Sequence, residues 1–271
     1  MNPGRLVALV CLLILPMVFH GWGPSARAAP LAAGSACTGA STGTNAVIHY
    51  YLALDRRQFA AAYACLAPGE QRRRPFGPWV VGFAHTVRSR LMFADSFLGN
   101  GYPIHRVAVE LLAVDQMGGR RVAQIYMGQW RIDGRGQMYG GALHPYPVSG
   151  TPSFNVRAIF GHYSRVVLER RHSDVTGDRV ADDIYLTSGA GCGSCHGQQV
   201  WVYSGGRLVF QQEVDDASVS VMRDHRGMTV STDTPGTPGV DSCCPASKTI
   251  ETWRWSPHGF VLTGQRMVKT H

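Results

Sequence analysis

From Tyr163 onwards the chain repeats one pattern, and this pattern constrains the fold more than any other feature. Short runs that alternate apolar and polar residues are separated by turns such as Ser204-Gly205-Gly206. Alternation with a period of two is typical of half-buried strands, and regularly spaced turns favour antiparallel pairing. The predicted strands are Tyr163–Glu169, Asp183–Thr187, Gln199–Tyr203, Arg207–Gln212, Met228–Thr232, Thr249–Trp255 and Gly259–Gln265. Residues 153–271 are therefore predicted to form an all-β domain.

The preceding part of the chain begins with a different period. Between Asn45 and Leu66, apolar residues recur every three to four positions, which predicts a helix that Pro68-Gly69 ends. A second, shorter helix is expected after Pro75. The period then changes to two, and three long strands are predicted at Leu91–Phe97, Ile104–Asp115 and Arg121–Arg131. This order predicts an α+β domain over residues 45–133, in which a helix layer packs in a curved antiparallel sheet.

Two sequence segments of this predicted domain resemble a known family. They are Tyr50-Tyr51-Leu52-Ala53-Leu54-Asp55 and the predicted closing strand from Gln124 to Ile132. The stretch from Ala46 to Arg131 resembles the nuclear transport factor 2-like domains, whose cone-shaped fold is shared with polyketide cyclases and ketosteroid isomerase. The resemblance implies a cone-like helix-plus-antiparallel-sheet domain, followed here by the all-β, disulfide-stapled domain.

The same resemblance implies one catalytic hypothesis. Relatives use a buried Asp or Glu as a base, together with a Tyr donor, to move a proton next to a carbonyl. Glu110 lies in a predicted strand of Val and Leu, and Tyr126 lies on the next one. Burial would suit Glu110 to general-base work, whereas a Glu110 that faces solvent would have no such role. Because many domains of this fold only bind or scaffold, an isomerase or cyclase-like enzyme is the weakest reading of function.

The N-terminus predicts export. Arg5 precedes an apolar run from Leu6 to Phe19, and small residues then offer a cleavage site after Ala28, so residues 1–28 are expected to be a signal peptide. A retained N-terminal anchor is the alternative, and no membrane span is expected after signal removal. Small polar residues at 29–44 predict a linker, and Gly and Pro predict another at 134–152. The expected location is secreted or extracytoplasmic, in the periplasm or cell envelope.

Of seven cysteines, one lies in the predicted signal and six remain, an even number that favours disulfides in an exported chain. Cys65 ends the first predicted helix, where a bond to Cys37 would fix the linker. Two further disulfides are expected among four cysteines of the β domain, with connectivity left open: Cys192, Cys195, Cys243 and Cys244.

The triplet Cys192-x-x-Cys195-His196 also matches the attachment signature of c-type haem, with His196 as axial ligand. A haem-binding electron-transfer protein is therefore the alternative function. The triplet lies between predicted strands, however, whereas haem-attaching domains of this kind are mostly helical. A redox-active Cys-x-x-Cys and a four-cysteine zinc site are further alternatives.

An acidic turn precedes this triplet. Oxygen-bearing residues at alternate positions can converge on one cation, and the predicted ligands are Asp174, Thr176, Asp178, Asp182 and the carbonyl of Val180. The pattern is similar to the calcium loop of integrin-type FG-GAP repeats, although Thr176 replaces an Asn and Arg179 replaces a Gly. The alternative, which we favour, is a polar turn in which the Asp side chains cap backbone N–H groups.

The charge and the motifs limit the functions that the sequence allows. The chain has a net charge of +8, and its one basic run, Arg72-Arg73-Arg74, indicates either a solvated turn or an anionic partner. No interleaving of basic and aromatic residues indicates nucleic acid binding. We expect an exported two-domain binding or cell-envelope accessory protein, whose partner is a protein, a glycan or a small molecule. No catalytic set is evident and no cofactor is expected, with Ca²⁺ and haem c as the alternatives.

Overall fold

A computed structural model of the protein describes Cys37 and residues 43–98, 105–147, 152–189, 197–214, 216–234 and 247–269. These described residues all lie in one compact unit. Its helices are α1 (Gly43–Asp55), α2 (Phe59–Ala64), α3 (Pro68–Arg73), α4 (Phe76–Val81) and α5 (Val156–His162). Its strands are β1 (Thr86–Leu98), β2 (His105–Met117), β3 (Arg120–Ile132), β4 (Met138–Tyr146), β5 (Arg165–Ser173), β6 (Asp182–Gly189), β7 (Gln198–Ser204), β8 (Arg207–Val214), β9 (Ser218–Val221), β10 (Gly227–Thr234), β11 (Ser247–Ser256) and β12 (Gly259–Lys269).

The strands form three four-stranded antiparallel sheets. Sheet A has the order β1-β2-β3-β4, sheet B the order β5-β6-β7-β8, and sheet C the order β12-β11-β10-β9. Within each sheet, every strand thus pairs with its neighbours in sequence, which is the arrangement that short turns between alternating runs allow. The all-β character predicted for the C-terminal part of the chain is confirmed.

The predicted fold class was wrong, because the fold is mainly antiparallel β and not an α+β cone. The first helix ends at Asp55, and Arg57 then adopts a left-handed backbone with φ 56°. Helices α2, α3 and α4 have six residues each. Pro68 and Pro75 lack the N–H that a continuous helix would use, so the chain breaks there into single turns. Only α1, with 13 residues, is long enough to cover a sheet.

Residues 134–152, which the sequence predicts to be a linker, contain β4. This strand pairs with β3 through most of its length and forms the edge of sheet A. An edge strand tolerates Pro145 because one side of it needs no hydrogen-bond donor. The glycines and prolines that predict a linker are therefore compatible with a strand at this position.

Sheets A and B pack together through aromatic rings and one buried carboxylate. Phe93 on β1 stacks on Tyr163 at a centroid distance of 3.6 Å, and Trp201 on β7 lies 5.1 Å away. Asp95 pairs with Arg165 and accepts a hydrogen bond of 2.8 Å from Gln199. Burial raises the pKa of Asp95, and the Arg165 charge opposes that rise. Sequence-distant strands are thus held by both packing and charge.

Helix α1 also contacts the C-terminal sheets. The Asp55 carboxylate lies 2.7 Å from Arg207 on β8, and His49 Nε2 donates to the carbonyl of Phe260 at 3.2 Å. Phe260 in turn packs on Phe210, with 5.4 Å between ring centroids, which joins sheet C to sheet B. Within the described ranges, no helix is both long and apolar enough to cross a membrane.

Candidate binding pocket

A cavity of about 520 Å³ lies between α1, the segment from α3 to α4, and sheet A. We call it the aromatic pocket, because five aromatic side chains line it: Tyr50, Tyr51, Trp79, Phe83 and Trp130. Its other lining residues are Leu54, Arg73, Arg74, Pro75, Pro78, Gly82, Ser89, Leu111, Gly141 and Leu143. Residues at positions i, i+1 and i+4 share one face of a helix, which explains why α1 supplies both tyrosines and Leu54.

The floor of the aromatic pocket depends on a glycine. Gly141 on β4 lies directly opposite Trp130 on β3. A Cβ atom built on Gly141 would lie 2.3 Å from Cε3 of the Trp130 ring, so the indole can lie against the strand only where no side chain is present. Trp130 Nε1 donates a hydrogen bond of 2.9 Å to the Tyr51 hydroxyl. This bond satisfies the indole N–H and fixes the orientation of both rings.

One wall of the aromatic pocket is a cluster of rings around Trp79. The Trp79 centroid lies 5.0 Å from that of Phe83, 5.2 Å from that of Tyr63 and 6.4 Å from that of Tyr50. Trp79 is buried, although it belongs to a helix of only six residues. The packing of its ring therefore holds α4 in place, since so short a helix has little stability of its own.

The solvent side of the aromatic pocket is cationic. Arg73 and Arg74 are both exposed and both line the cavity. Arg73 donates to the Glu70 carboxylate at 2.9 Å, and the same oxygen of Glu70 accepts the Gly140 N–H at 3.1 Å. Burial raises the pKa of Tyr50, and the nearby Arg74 charge opposes that rise. No acidic side chain occurs among the described residues that line the pocket.

A smaller cleft of about 290 Å³ shares Arg73 and Gly141 with the aromatic pocket. We call it the arginine cleft, because Arg106 and Arg131 line it together with Arg73. Arg106 and Arg131 are direct partners across β2 and β3. Like charges at opposed positions destabilise a sheet, so this pair carries a cost that a bound anion would remove.

The structure separates the two residues of the catalytic hypothesis. Glu110 lies opposite Met127 in the register of β2 and β3, whereas Tyr126 lies opposite Leu111. Successive residues of a strand point to opposite faces, so Glu110 and Tyr126 are on different sides of sheet A. Glu110 does not face solvent, however. It lines a separate cavity on the face opposite the aromatic pocket.

In the acidic turn, carboxylates cap the backbone. Asp174 accepts hydrogen bonds from the N–H groups of Thr176, Gly177 and Arg179. Asp178 accepts the N–H of Val180. Asp182 accepts those of Val175 and Thr176. This geometry suits a capped turn, and the described residues contain no group of three or more His, Cys, Asp or Glu that could hold a metal ion. Calcium binding at this turn stays a prediction.

Of the predicted cysteine sites, the structure describes one. Cys37 and Cys65 form a disulfide with 5.3 Å between their Cα atoms, and both are buried, so this predicted bond is confirmed. The predicted signal peptide and the remaining predicted cysteine and haem ligands lie outside the described residues: Cys192, Cys195, His196, Cys243 and Cys244.

Sequence reasoning missed the aromatic pocket. Its tyrosines were assigned to a helix core, and Trp79 and Trp130 to separate elements, because nothing local shows that these side chains converge. The one available signal was the run Arg72-Arg73-Arg74, for which an anionic partner was an alternative.

Comparisons with known proteins identify no family. No family model matches the chain, and no curated protein matches it. A solved structure titled "Structure of Dos1 propeller" is similar at a TM-score of 0.28 and 9% sequence identity, over 68% of this chain and 48% of that one. The present chain thus spans about half the length of that structure. The resemblances to nuclear transport factor 2-like domains and to FG-GAP loops stay predictions.

Proposed function

We propose that this protein binds a small amphipathic anion, meaning a molecule with an aromatic or aliphatic body and an acidic group. One observation carries the proposal: the aromatic pocket combines apolar walls with exposed Arg73 and Arg74, and no described lining residue is acidic. Ligand pockets of about 300–1,000 Å³ with apolar walls and a few placed polar groups are typical of small-molecule sites. The cavity of about 520 Å³ falls within this range.

The walls support an apolar body. Trp79, Trp130 and Tyr50 present ring faces and edges, and such surfaces bind flat or branched apolar groups by area burial and by ring contacts. The hydroxyl of Tyr51 already accepts the Trp130 N–H, which leaves only its own O–H as a donor. These contacts favour a hydrophobic ligand over a sugar, which would need many donors and acceptors.

The arginines support an acidic group. Guanidinium groups bind carboxylates, sulfonates and phosphates through paired hydrogen bonds. Arg73 and Arg74 line the solvent side of the aromatic pocket, so the acidic group of a ligand whose body lies in the pocket can reach their guanidinium groups.

Export supports a binding role outside the cytoplasm. The predicted signal at residues 1–28 and the Cys37–Cys65 disulfide both fit an oxidising compartment. We therefore propose a secreted or cell-envelope protein that captures its ligand there.

The test uses two fluorescent probes of similar shape. We expect 8-anilinonaphthalene-1-sulfonate, which carries one sulfonate, to bind at one site per chain. Arg74→Ala should weaken this binding about five- to tenfold, which corresponds to about 1–1.4 kcal/mol for a partly exposed charged contact. Binding of the uncharged N-phenyl-1-naphthylamine should be unchanged in the same variant. Fluorescence titration of both probes gives the two dissociation constants.

Arg72→Ala is the matched control, because Arg72 is an exposed neighbour in the same run that does not line the pocket. It should leave both dissociation constants within about twofold of the wild-type values, as expected for a surface charge. Equal weakening by Arg72→Ala and Arg74→Ala would sink the proposal, since it would indicate only a diffuse charge effect. Loss of both probes in Arg74→Ala alone would also contradict a role for Arg74 in binding the acidic group.

A further inference from the structure

A second cavity, of about 330 Å³, lies between α5 and the face of sheet A that is opposite the aromatic pocket. Its walls are mainly apolar, and its lining includes Ile125, Met127, Tyr146 and Ile159. Besides Tyr146, two titratable side chains complete it: Glu110 from β2 and His162 from the end of α5. No Lys or Arg occurs among the described residues that line it. We call it the Glu110 cavity.

Glu110 is buried without a hydrogen-bonding neighbour. Its side chain belongs to a residue that is 8% exposed, and its cross-strand partners are Phe93 and Met127, which offer no donor. None of the described residues donates a hydrogen bond to its carboxylate. Its oxygens are not among the fully buried side-chain atoms that lack a partner, so they open onto the cavity, where a ligand can reach them.

The electrostatic surroundings of Glu110 follow from this burial. Desolvation raises the pKa of Glu110, and the charge of His162 opposes that rise. Burial raises the pKa of Tyr163, and the negative charges of Glu110 and Asp95 add to that rise. The titratable groups close to Glu110 are therefore His162, Tyr163, Tyr146 and Tyr203. Among the described residues, no cationic side chain donates a hydrogen bond to the carboxylate.

We propose that the Glu110 cavity binds a small organic cation, an alkylammonium ion whose N–H groups donate to Glu110. The ammonium supplies the positive charge and the donors that the carboxylate lacks. The ring of Tyr146 offers an additional cation–π surface, and Ile125, Met127 and Ile159 cover the alkyl chain. A metal ion fits less well, because hard cations take several oxygen ligands and the cavity offers one carboxylate.

The experiment uses n-butylammonium as the probe and n-butanol as its uncharged control. Methyl resonances of isotope-labelled Met127 and Ile159 report occupancy of the cavity in the full protein. We expect n-butylammonium to shift both resonances saturably, with a dissociation constant on the order of millimolar for so few ligand atoms. n-Butanol should bind at least about tenfold more weakly, because it brings no charge.

Glu110→Gln keeps the size of the side chain and removes its charge. We expect this variant to bind n-butylammonium at least about tenfold more weakly, and Glu169→Gln on β5 to bind it as the wild type does. Affinity in the wild type should also fall as the pH is lowered through the raised pKa of Glu110, because the protonated acid no longer attracts a cation. Absence of saturable shifts up to about 50 mM probe, or equal binding by wild type and Glu110→Gln, overturns the proposal.

The two sites are tested separately. The Glu110 cavity and the aromatic pocket lie on opposite faces of sheet A and share no lining residue. Glu110→Gln should therefore leave the binding of 8-anilinonaphthalene-1-sulfonate unchanged. A folded Glu110→Gln variant that retains that binding, but not the binding of n-butylammonium, supports the cation site independently of the proposed function.

Discussion

At the scale of single residues, Gly141 controls the shape of the aromatic pocket. Its missing side chain leaves the space that the Trp130 ring occupies, and Trp130 in turn bonds to Tyr51. Gly141→Ala should push the indole from the strand and break that hydrogen bond. We expect a loss of about 1–3 kcal/mol in the free energy of unfolding, as for other overpacked sites, together with weaker binding of 8-anilinonaphthalene-1-sulfonate. Urea denaturation and probe titration measure the two effects.

Gly134→Ala is the control for this substitution, because a Cβ atom at Gly134 would meet nothing within 4 Å. Its free energy of unfolding and its probe affinity should both stay close to the wild-type values. If Gly141→Ala were as mild as Gly134→Ala, the contact between Gly141 and Trp130 would not determine the floor of the pocket.

The same residues show why the site could not be predicted. The aromatic pocket needs Tyr50 from α1, Trp79 from α4 and Trp130 from β3, and these positions are far apart in the sequence. Periodicity assigns each of them to a buried face but does not say which buried faces meet. Glu110 was singled out because an acidic residue is unusual in an apolar strand. The structure shows that Glu110 is buried. Its partner Tyr126 was chosen without knowledge of the register, which places it on the other face.

At the scale of elements, strands could be predicted where apolar and polar residues alternate within one short segment. The runs in β2, β3 and β7 alternate or are rich in β-branched residues, and the predicted segments cover most of each strand. Strand β4 was missed because Gly140, Gly141 and Pro145 resemble a linker. The position of β4 depends on its contact with Trp130 on β3, and no local sequence pattern shows that contact. The length of the helices was overestimated, because helical periodicity in the sequence continues beyond Asp55, where α1 ends, and past Arg57, whose backbone is left-handed.

The Cys37–Cys65 disulfide acts at this scale, because it ties the segment before α1 to the end of α2. Closing a loop with a sequence separation of 28 residues should stabilise the fold by about 3–4 kcal/mol through the unfolded state. The double variant Cys37→Ser and Cys65→Ser should lose about that amount in urea denaturation under non-reducing conditions. Its packing cost is small, since serine is close to cysteine in size.

Reductant provides the control for the disulfide experiment. Wild-type protein with reductant should lose at least as much stability as the double variant does without it. Any further loss when the double variant is itself reduced would report the predicted bonds among Cys192, Cys195, Cys243 and Cys244. A double variant as stable as the oxidised wild type would contradict a stabilising role for Cys37–Cys65.

At the scale of the whole molecule, the contacts between sheets decide how the protein unfolds. Phe93 in sheet A stacks on Tyr163 and lies against Trp201 of sheet B, and Asp95 links to both Arg165 and Gln199. These groups cross the boundary between residues 45–133 and 153–271 that the sequence predicts. Contacts so well buried should make the two parts unfold together, because neither can lose its partner without exposing a large apolar surface.

We therefore expect a single cooperative transition, with hydrogen exchange in β2 and in β7 responding to the same denaturant concentration. Phe93→Ala removes the ring that joins the sheets and should lower the free energy of unfolding by about 3–5 kcal/mol for both strands alike. Phe76→Ala is the matched control, because Phe76 is 43% exposed on α4, and its effect should be smaller. Hydrogen exchange followed by mass spectrometry measures both strands in one sample. If Phe93→Ala accelerated exchange in β2 but left β7 protected, the two predicted domains would be independent folding units, and the contacts around Phe93 would only dock one against the other.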